Sequence, residues 1–184
     1  MVATKRITVD DLERDGVPDG FWELIDGRIV EVTPSGGDAS TIGTVVTYLL
    51  GGHVYPRKLG RLYGADGGFV LYPGEEREVL RAADVAFVRA DRVPPAEVHA
   101  RFLRLPPDLV VEVVSLHDAA TEVAAKARFW IDAGVRLAWI VHPRQRSVTV
   151  YEEGRETRVL GLDQELDGGD VLPGFRVSVS DLFH

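Results

Sequence analysis

Along the chain, short apolar runs and stretches with helical spacing alternate, separated by clusters of Gly, Pro, Ser and Asp. ITVDDLERDG predicts a short helix starting after Thr8, with VPDG to end it. In FWELIDGRIVEV, apolar residues flank Asp26-Gly27, a dipeptide suited to a tight turn with positive φ, so this segment predicts a β-hairpin. TPSGGDAS reads as a loop. Ile42, Val45, Val46 and Leu49 then recur at helical spacing, predicting a helix from Ser40 or Thr41 to a stop at Gly51-Gly52. GRLYGADGGFVLY and REVLRAADVAFVRA predict two strands around the loop PGEE, and Pro94-Pro95 breaks the chain. DLVVEVV has the continuous apolar, β-branched character of a strand covered on both faces. DAATEVAAKARFWIDAG predicts a helix with Asp118 or Thr121 as its cap, Val123, Ala127, Trp130 and Ile131 as its apolar stripe, and Gly134 as its end. RLAWIV and SVTVYE predict strands joined through Pro143 to Arg146, and DVLPGFRVSVSDLF contains another short strand.

A helix between the buried strand and RLAWIV, within this mixture of elements, indicates an α/β or α+β sheet protein. No repeat, low-complexity tract or linker interrupts the 184 residues, and the expectation is one domain over residues 1–184.

Two acidic residues do not fit the apolar pattern. Glu112 stands in the middle of DLVVEVV, where an ionised carboxylate costs several kcal/mol unless a cation or hydrogen-bond donors meet it. Asp84, in AADVAFV, alternates with Ala82, Ala86 and Val88 and so points where apolar side chains point. If the two strands are neighbours, Asp84 and Glu112 converge and repel unless a positive charge lies between them. A divalent metal is the simplest such charge, and Mg²⁺ takes oxygen ligands of this kind. Lys126 lies at the margin of the helix stripe that must face the sheet, and its ammonium can extend toward Glu112. The competing reading pairs it with Glu122, four residues earlier, on a solvated helix face.

Composition narrows the function classes. A net charge of −8 argues against a protein that coats nucleic acid with a broad basic surface, although Arg57, Lys58 and Arg61 form a small basic cluster that can touch a phosphate backbone or stand as an ordinary solvated loop. The absence of cysteine excludes disulfides and thiolate metal sites, and the five histidines show no zinc-ligand spacing. His53, His99, His117 and His142 therefore receive no role. Trp22, Trp130 and Trp139 lie in apolar patterns and read as core. MVATKRITVDDLERDG has no continuous apolar run, and nowhere do about eighteen apolar residues follow one another. The expectation is a cytoplasmic protein without membrane segments.

WELIDGRIVEVTPSGG, ADVAFV, PPDLVVEVVS, EVAAKARFWIDAGV, RLAWIVHP and LPGFRVSVSDLF occur in an order that resembles the Uma-two type family of bacterial restriction-endonuclease-like proteins, itself similar to the PD-(D/E)XK nuclease superfamily. The resemblance covers almost the whole chain. It implies a restriction-endonuclease-like mixed β-sheet core flanked by helices, with the N-terminal β-hairpin as an extension. It also implies that Asp84 and Glu112 are the two acidic ligands of a catalytic metal. The superfamily lysine two residues after the glutamate falls on Val114, and the resemblance implies that it is displaced to Lys126. Glu23 matches a further acidic position bordering the site. Four positions depart from the family pattern: Ala83 for a proline, Ala39 for a loop histidine, Leu116 for a proline and His142 for an aspartate. None of them removes Asp84, Glu112 or Lys126.

These residue types suit phosphodiester hydrolysis. Asp84 and Glu112, with help from the Val113 carbonyl, would hold Mg²⁺, or Mn²⁺ in its place, which would supply an activated water and charge neutralisation at a phosphate oxygen, while Lys126 would orient that water or stabilise developing charge. Glu23 could bind a second metal or its water shell. DNA is the expected substrate. A homodimer is expected because Phe129, Trp130 and VLPGF exceed what one small sheet need cover, and because two sites related by a two-fold axis suit a duplex. Two alternatives stay open: a nuclease fold without turnover that serves as a binding or assembly module, and a metal-free carboxylate pair as in glycoside hydrolases.

Overall fold

The computed structural model of the protein describes residues 6–96, 101–116 and 118–183. His99 and His117 lie outside the described residues. Contacts divide the chain into two compact units, one of residues 1–34, 67–82 and 94–106, the other of residues 35–66, 83–93 and 107–184.

In the first unit, helix α1 (Val9–Asp15) starts at Thr8, whose hydroxyl accepts from Asp11 N while the Asp11 carboxylate accepts from Thr8 N, a reciprocal cap. Strands β1 (Trp22–Ile25) and β2 (Arg28–Glu31) form the expected hairpin, with Asp26 and Gly27 both at positive φ. Strands β4 (Phe69–Leu71) and β5 (Val79–Arg81) complete a four-stranded sheet of order β2-β1-β5-β4. Its core gathers Val9, Leu12, Leu24, Val70 and Leu80.

The second unit holds a six-stranded mixed sheet of order β10-β9-β8-β7-β6-β3, built from β3 (Gly60–Gly64), β6 (Val85–Arg89), β7 (Leu109–Val113), β8 (Leu137–His142), β9 (Ser147–Glu152) and β10 (Arg158–Leu160). Strands β7 and β8 are parallel, joined through helix α3 (Ala120–Asp132), and the other neighbours are antiparallel. Helix α2 (Gly37–Val54) packs on one face, where Ile42, Val46, Leu50 and Val54 meet Phe87, Leu109, Val111 and Trp139. A small ribbon of β11 (Glu165–Asp167) and β12 (Arg176–Ser178) follows, then a 3₁₀ turn at Val179–Leu182. Every residue of β7 is buried, as a strand covered on both faces requires.

Several sequence expectations need correction. Helix α2 starts at Gly37, before Ser40, and runs through Gly51-Gly52 to Val54, because Ala39, Ile42, Val46, Leu50 and Val54 form one buried stripe. Packing of that stripe outweighs the roughly 1 kcal/mol that each interior glycine costs relative to alanine. GRLYGADGGFVLY and REVLRAADVAFVRA are four strands, not two, since each run passes from one sheet to the other at 65–68 and 82–84. The N-cap of α3 is Ala119 without a side-chain bond, because Asp118 Oδ2 instead accepts from Ser115 N at 2.8 Å. Strands β10 and β11 had no counterpart in the sequence reading. Of the residues on which the homodimer expectation rests, Trp130, Val171, Leu172 and Phe175 lie in the interior, while Phe129 is partly buried and Pro173 and Gly174 are exposed. Among the described residues no helix is long and apolar enough to cross a membrane.

Leu109→Ala, which removes a side chain with 0% exposure from β7, is expected to lower stability by about 2–5 kcal/mol, read as a fall in the urea midpoint. Tyr48→Ala, at a position 79% exposed on α2, is expected to shift it by less than about 0.5 kcal/mol.

Candidate active site

Strand β6 runs antiparallel to β7 with Val85 opposite Val111, and one more step in that register sets Asp84 opposite Glu112. Period-two alternation places both on the face shared with Ala86 and Val110, away from the α2 core. Asp84 Oδ2 accepts from Val113 N at 2.7 Å, a bond that extends the β6–β7 connection past its last ladder pair. Among the described residues no donor meets Asp84 Oδ1.

Glu112, 7% exposed, has both oxygens engaged from helix α3: Lys126 Nζ donates to Oε2 at 2.7 Å, and the Trp130 indole Nε1–H donates to Oε1 at 2.8 Å. The lysine side chain is itself 40% exposed, so one ammonium reaches both the buried carboxylate and solvent. Trp130 was read as core, and it is fully buried. Its part in the site was missed although a signal existed: Lys126 and Trp130 are four residues apart and so share a helix face, and a buried indole N–H needs an acceptor.

The electrostatics match this burial. Desolvation pushes the Glu112 carboxyl up to about 7, with Lys126 opposing the rise and the Asp84 charge adding to it. Desolvation also raises the Asp84 carboxyl, against the Val113 N–H and Lys126, with Asp118 adding to the rise. Two neighbouring acids that resist ionisation form a site that would gain from a divalent cation. Among the described residues no group of three or more His, Cys, Asp or Glu side chains converges on one point, so any ion here would rest on two carboxylates with backbone and solvent oxygens.

Glu23 lies in the other compact unit, where Arg81 Nε stands 3.0 Å from each of its oxygens and both side chains are 14% exposed. Arg104 meets Asp10 and Glu13. Arg57, Lys58 and Arg61 are exposed beside β3, whose Gly60 pairs with Arg89; the cluster thus lies toward the end of β6 away from Asp84. At the departures from the family pattern, Ala39 is buried in α2, Ala83 is buried, Leu116 is exposed, and His142 Nε2 lies 2.9 Å from Thr149 Oγ1 with burial lowering its pKa.

A mixed sheet flanked by helices, with an aspartate at the edge of one central strand, a glutamate inside the next and a lysine in reach, is the restriction-endonuclease-like arrangement that the sequence resemblance implies. The chain belongs to the Uma2 family, described as "Putative restriction endonuclease", whose model matches residues 10–180. Among solved structures it is similar to a "putative nuclease belonging to DUF820" from Anabaena variabilis ATCC 29413, at 21% identity and a TM-score of 0.81 over 96% of this chain and 97% of the other, a likeness of fold. No curated protein matches it.

The raised Glu112 pKa fixes the sign of a pH effect. Unfolded, the group titrates near its ordinary 4.5; folded, it holds its proton to about 7. Between those values the folded state binds more protons, so this group's contribution to stability falls as pH rises from about 4.5 to about 7. Denaturant titrations of the metal-free protein across that window are expected to show the fall in wild type and a flatter profile in Glu112→Gln.

Proposed function

We propose that the chain is an endonuclease that hydrolyses DNA phosphodiester bonds with Mg²⁺, or Mn²⁺ in its place, held by Asp84, Glu112 and the Val113 carbonyl. The observation that carries this reading is the meeting of two carboxylates and an ammonium at one end of the sheet. The donor set suits a hard cation: it is all oxygen, both acids are destabilised as anions by burial, and Asp84 Oδ1 is without a donor among the described residues. When bound, such an ion lowers the pKa of water and neutralises charge on a phosphate oxygen.

The protein's own residues supply the rest. Lys126 favours the ionised form of Glu112 and, being partly in solvent, brings positive charge to the place where a phosphate would dock. Trp130 fixes the other oxygen and so sets the orientation of the carboxylate. Val113 N holds Asp84 beside it. A homodimer with one site for each strand of a duplex is the assembly this reading favours.

Mg²⁺ or Mn²⁺ at millimolar concentration is expected to raise the melting temperature of wild type and not of Asp84→Asn. In Mn²⁺-supplemented assays on single-stranded, duplex and supercoiled DNA, Lys126→Met is expected to lower the cleavage rate by about 10²-fold while the metal-induced melting shift persists. Cleavage of none of these substrates by wild type would move the reading to a binding module without turnover. Trp130→Phe removes one donor to Glu112 and is expected to displace the pH dependence of the metal-induced melting shift toward higher pH.

A further inference from the structure

We propose that the chain carries a second site, for a phosphate monoester, at the end of the six-stranded sheet opposite the carboxylates. A recess of about 420 Å³ opens there, within the range of small-molecule sites. Arg89, the last residue of β6, Asp91 and Arg92 in the turn after it, Asp108 before β7, Arg136 before β8 and Glu153 after β9 line it. Three arginines, from the end of β6, the turn after it and the approach to β8, thus line one cavity.

Asp108 organises the recess. It is fully buried, accepts from Arg89 N at 2.9 Å through Oδ2, and pairs through Oδ1 with Arg92 Nη1 at 2.6 Å, which holds that guanidinium at the wall. Arg89 pairs with Asp91, Nε to Oδ1 at 3.2 Å. Each of these two aspartates is therefore matched by one arginine. Arg136, a half-buried residue, is different: among the described residues its guanidinium has neither an ion pair nor a side-chain hydrogen bond. Glu153 lines the same recess and is tied to Arg136 through the backbone, its N–H donating to the Arg136 carbonyl at 3.0 Å.

An unmatched guanidinium beside two others is a receptor for an oxyanion, because its planar fork fits two oxygens at once. Asp108 and Asp91 are each matched by an arginine, and a monoester, with a charge near −1.5 to −2 at neutral pH and three acceptor oxygens, offers the remaining guanidinium donors more than a singly charged diester with two free oxygens. Glu153 can accept from a hydroxyl or amino group on the organic part of the ester. The same chemistry is presented by a free nucleoside monophosphate and by the phosphorylated end of a nucleic acid strand. This inference stands on the recess alone and does not depend on the nuclease reading.

Isothermal titration in EDTA with deoxyadenosine 5′-monophosphate, and with deoxyadenosine as control, tests it. Saturable binding of the monophosphate and none of the nucleoside is expected, weakened about 10-fold or more in Arg136→Gln and unchanged in Asp84→Asn, which keeps the carboxylate site out of the result. Arg89→Gln, at another arginine of the lining, gives a second reading should Arg136→Gln fail to fold. A 5′-phosphorylated oligonucleotide that binds more tightly than the mononucleotide assigns the ligand to a strand end; the reverse order assigns it to the free nucleotide. Absence of monophosphate binding, or binding indifferent to both arginine substitutions, overturns the proposal.

Discussion

A negative charge in the middle of a doubly covered strand is the constraint to which the centre of this structure answers. Left alone, the Glu112 carboxylate would cost several kcal/mol. Helix α3 meets it with an ammonium on one oxygen and an indole N–H on the other. Because Lys126 and Trp130 stand one helical turn apart, both bonds form only at one rotation and one height of the helix over β7. The apolar stripe of α3 would tolerate sliding; this pair of polar contacts does not. The crossover from β7 to its parallel neighbour β8 is thereby held at the strand that carries the acid.

The sheet is also chemically polarised along its strands. At one end β6 and β7 bring Asp84 and Glu112 together, with Val113 N closing the gap between strands. At the other, Asp108 performs the same closure with opposite surroundings, accepting from Arg89 N and binding Arg92. In each case an aspartate, partly buried at Asp84 and fully buried at Asp108, takes a main-chain N–H from the neighbouring strand where the regular ladder ends. One geometric device therefore finishes the β6–β7 pair at both ends, and the charges around it make one end acidic and the other rich in arginine.

Much of this was legible in the sequence, for identifiable reasons. Apolar residues flanking the Asp26-Gly27 turn announced the hairpin, and unbroken β-branched residues announced β7 as a buried strand. Glu112 and Asp84 stood out because a charged residue in such a pattern has a free-energy cost that must be met. What met it was less visible. Lys126 had a plausible local partner in Glu122, and periodicity alone does not rank a distant carboxylate above a near one. Trp130 was assigned to the core from its apolar body, which is correct for most of its atoms and silent about its one N–H. The extent of α2 was misjudged because glycine propensity is a local quantity, whereas Leu50 and Val54 report on tertiary burial. Asp108 follows Pro106-Pro107, and nothing in its neighbourhood distinguishes a turn aspartate from one that joins two strands.

The unit that contains the hairpin is assembled from three separated stretches of chain. During synthesis, β1 and β2 leave the ribosome as a two-stranded ribbon long before β5, the strand that must pair with the other side of β1. Until then β1 presents an unpaired edge next to Leu24, which is completely buried in the finished sheet. Exposed strand edges recruit other strands, so the nascent chain passes through an interval in which the main hazard is pairing with the wrong neighbour. That interval lasts as long as translation takes to travel from the hairpin to β5, and slowing the ribosome between them lengthens it.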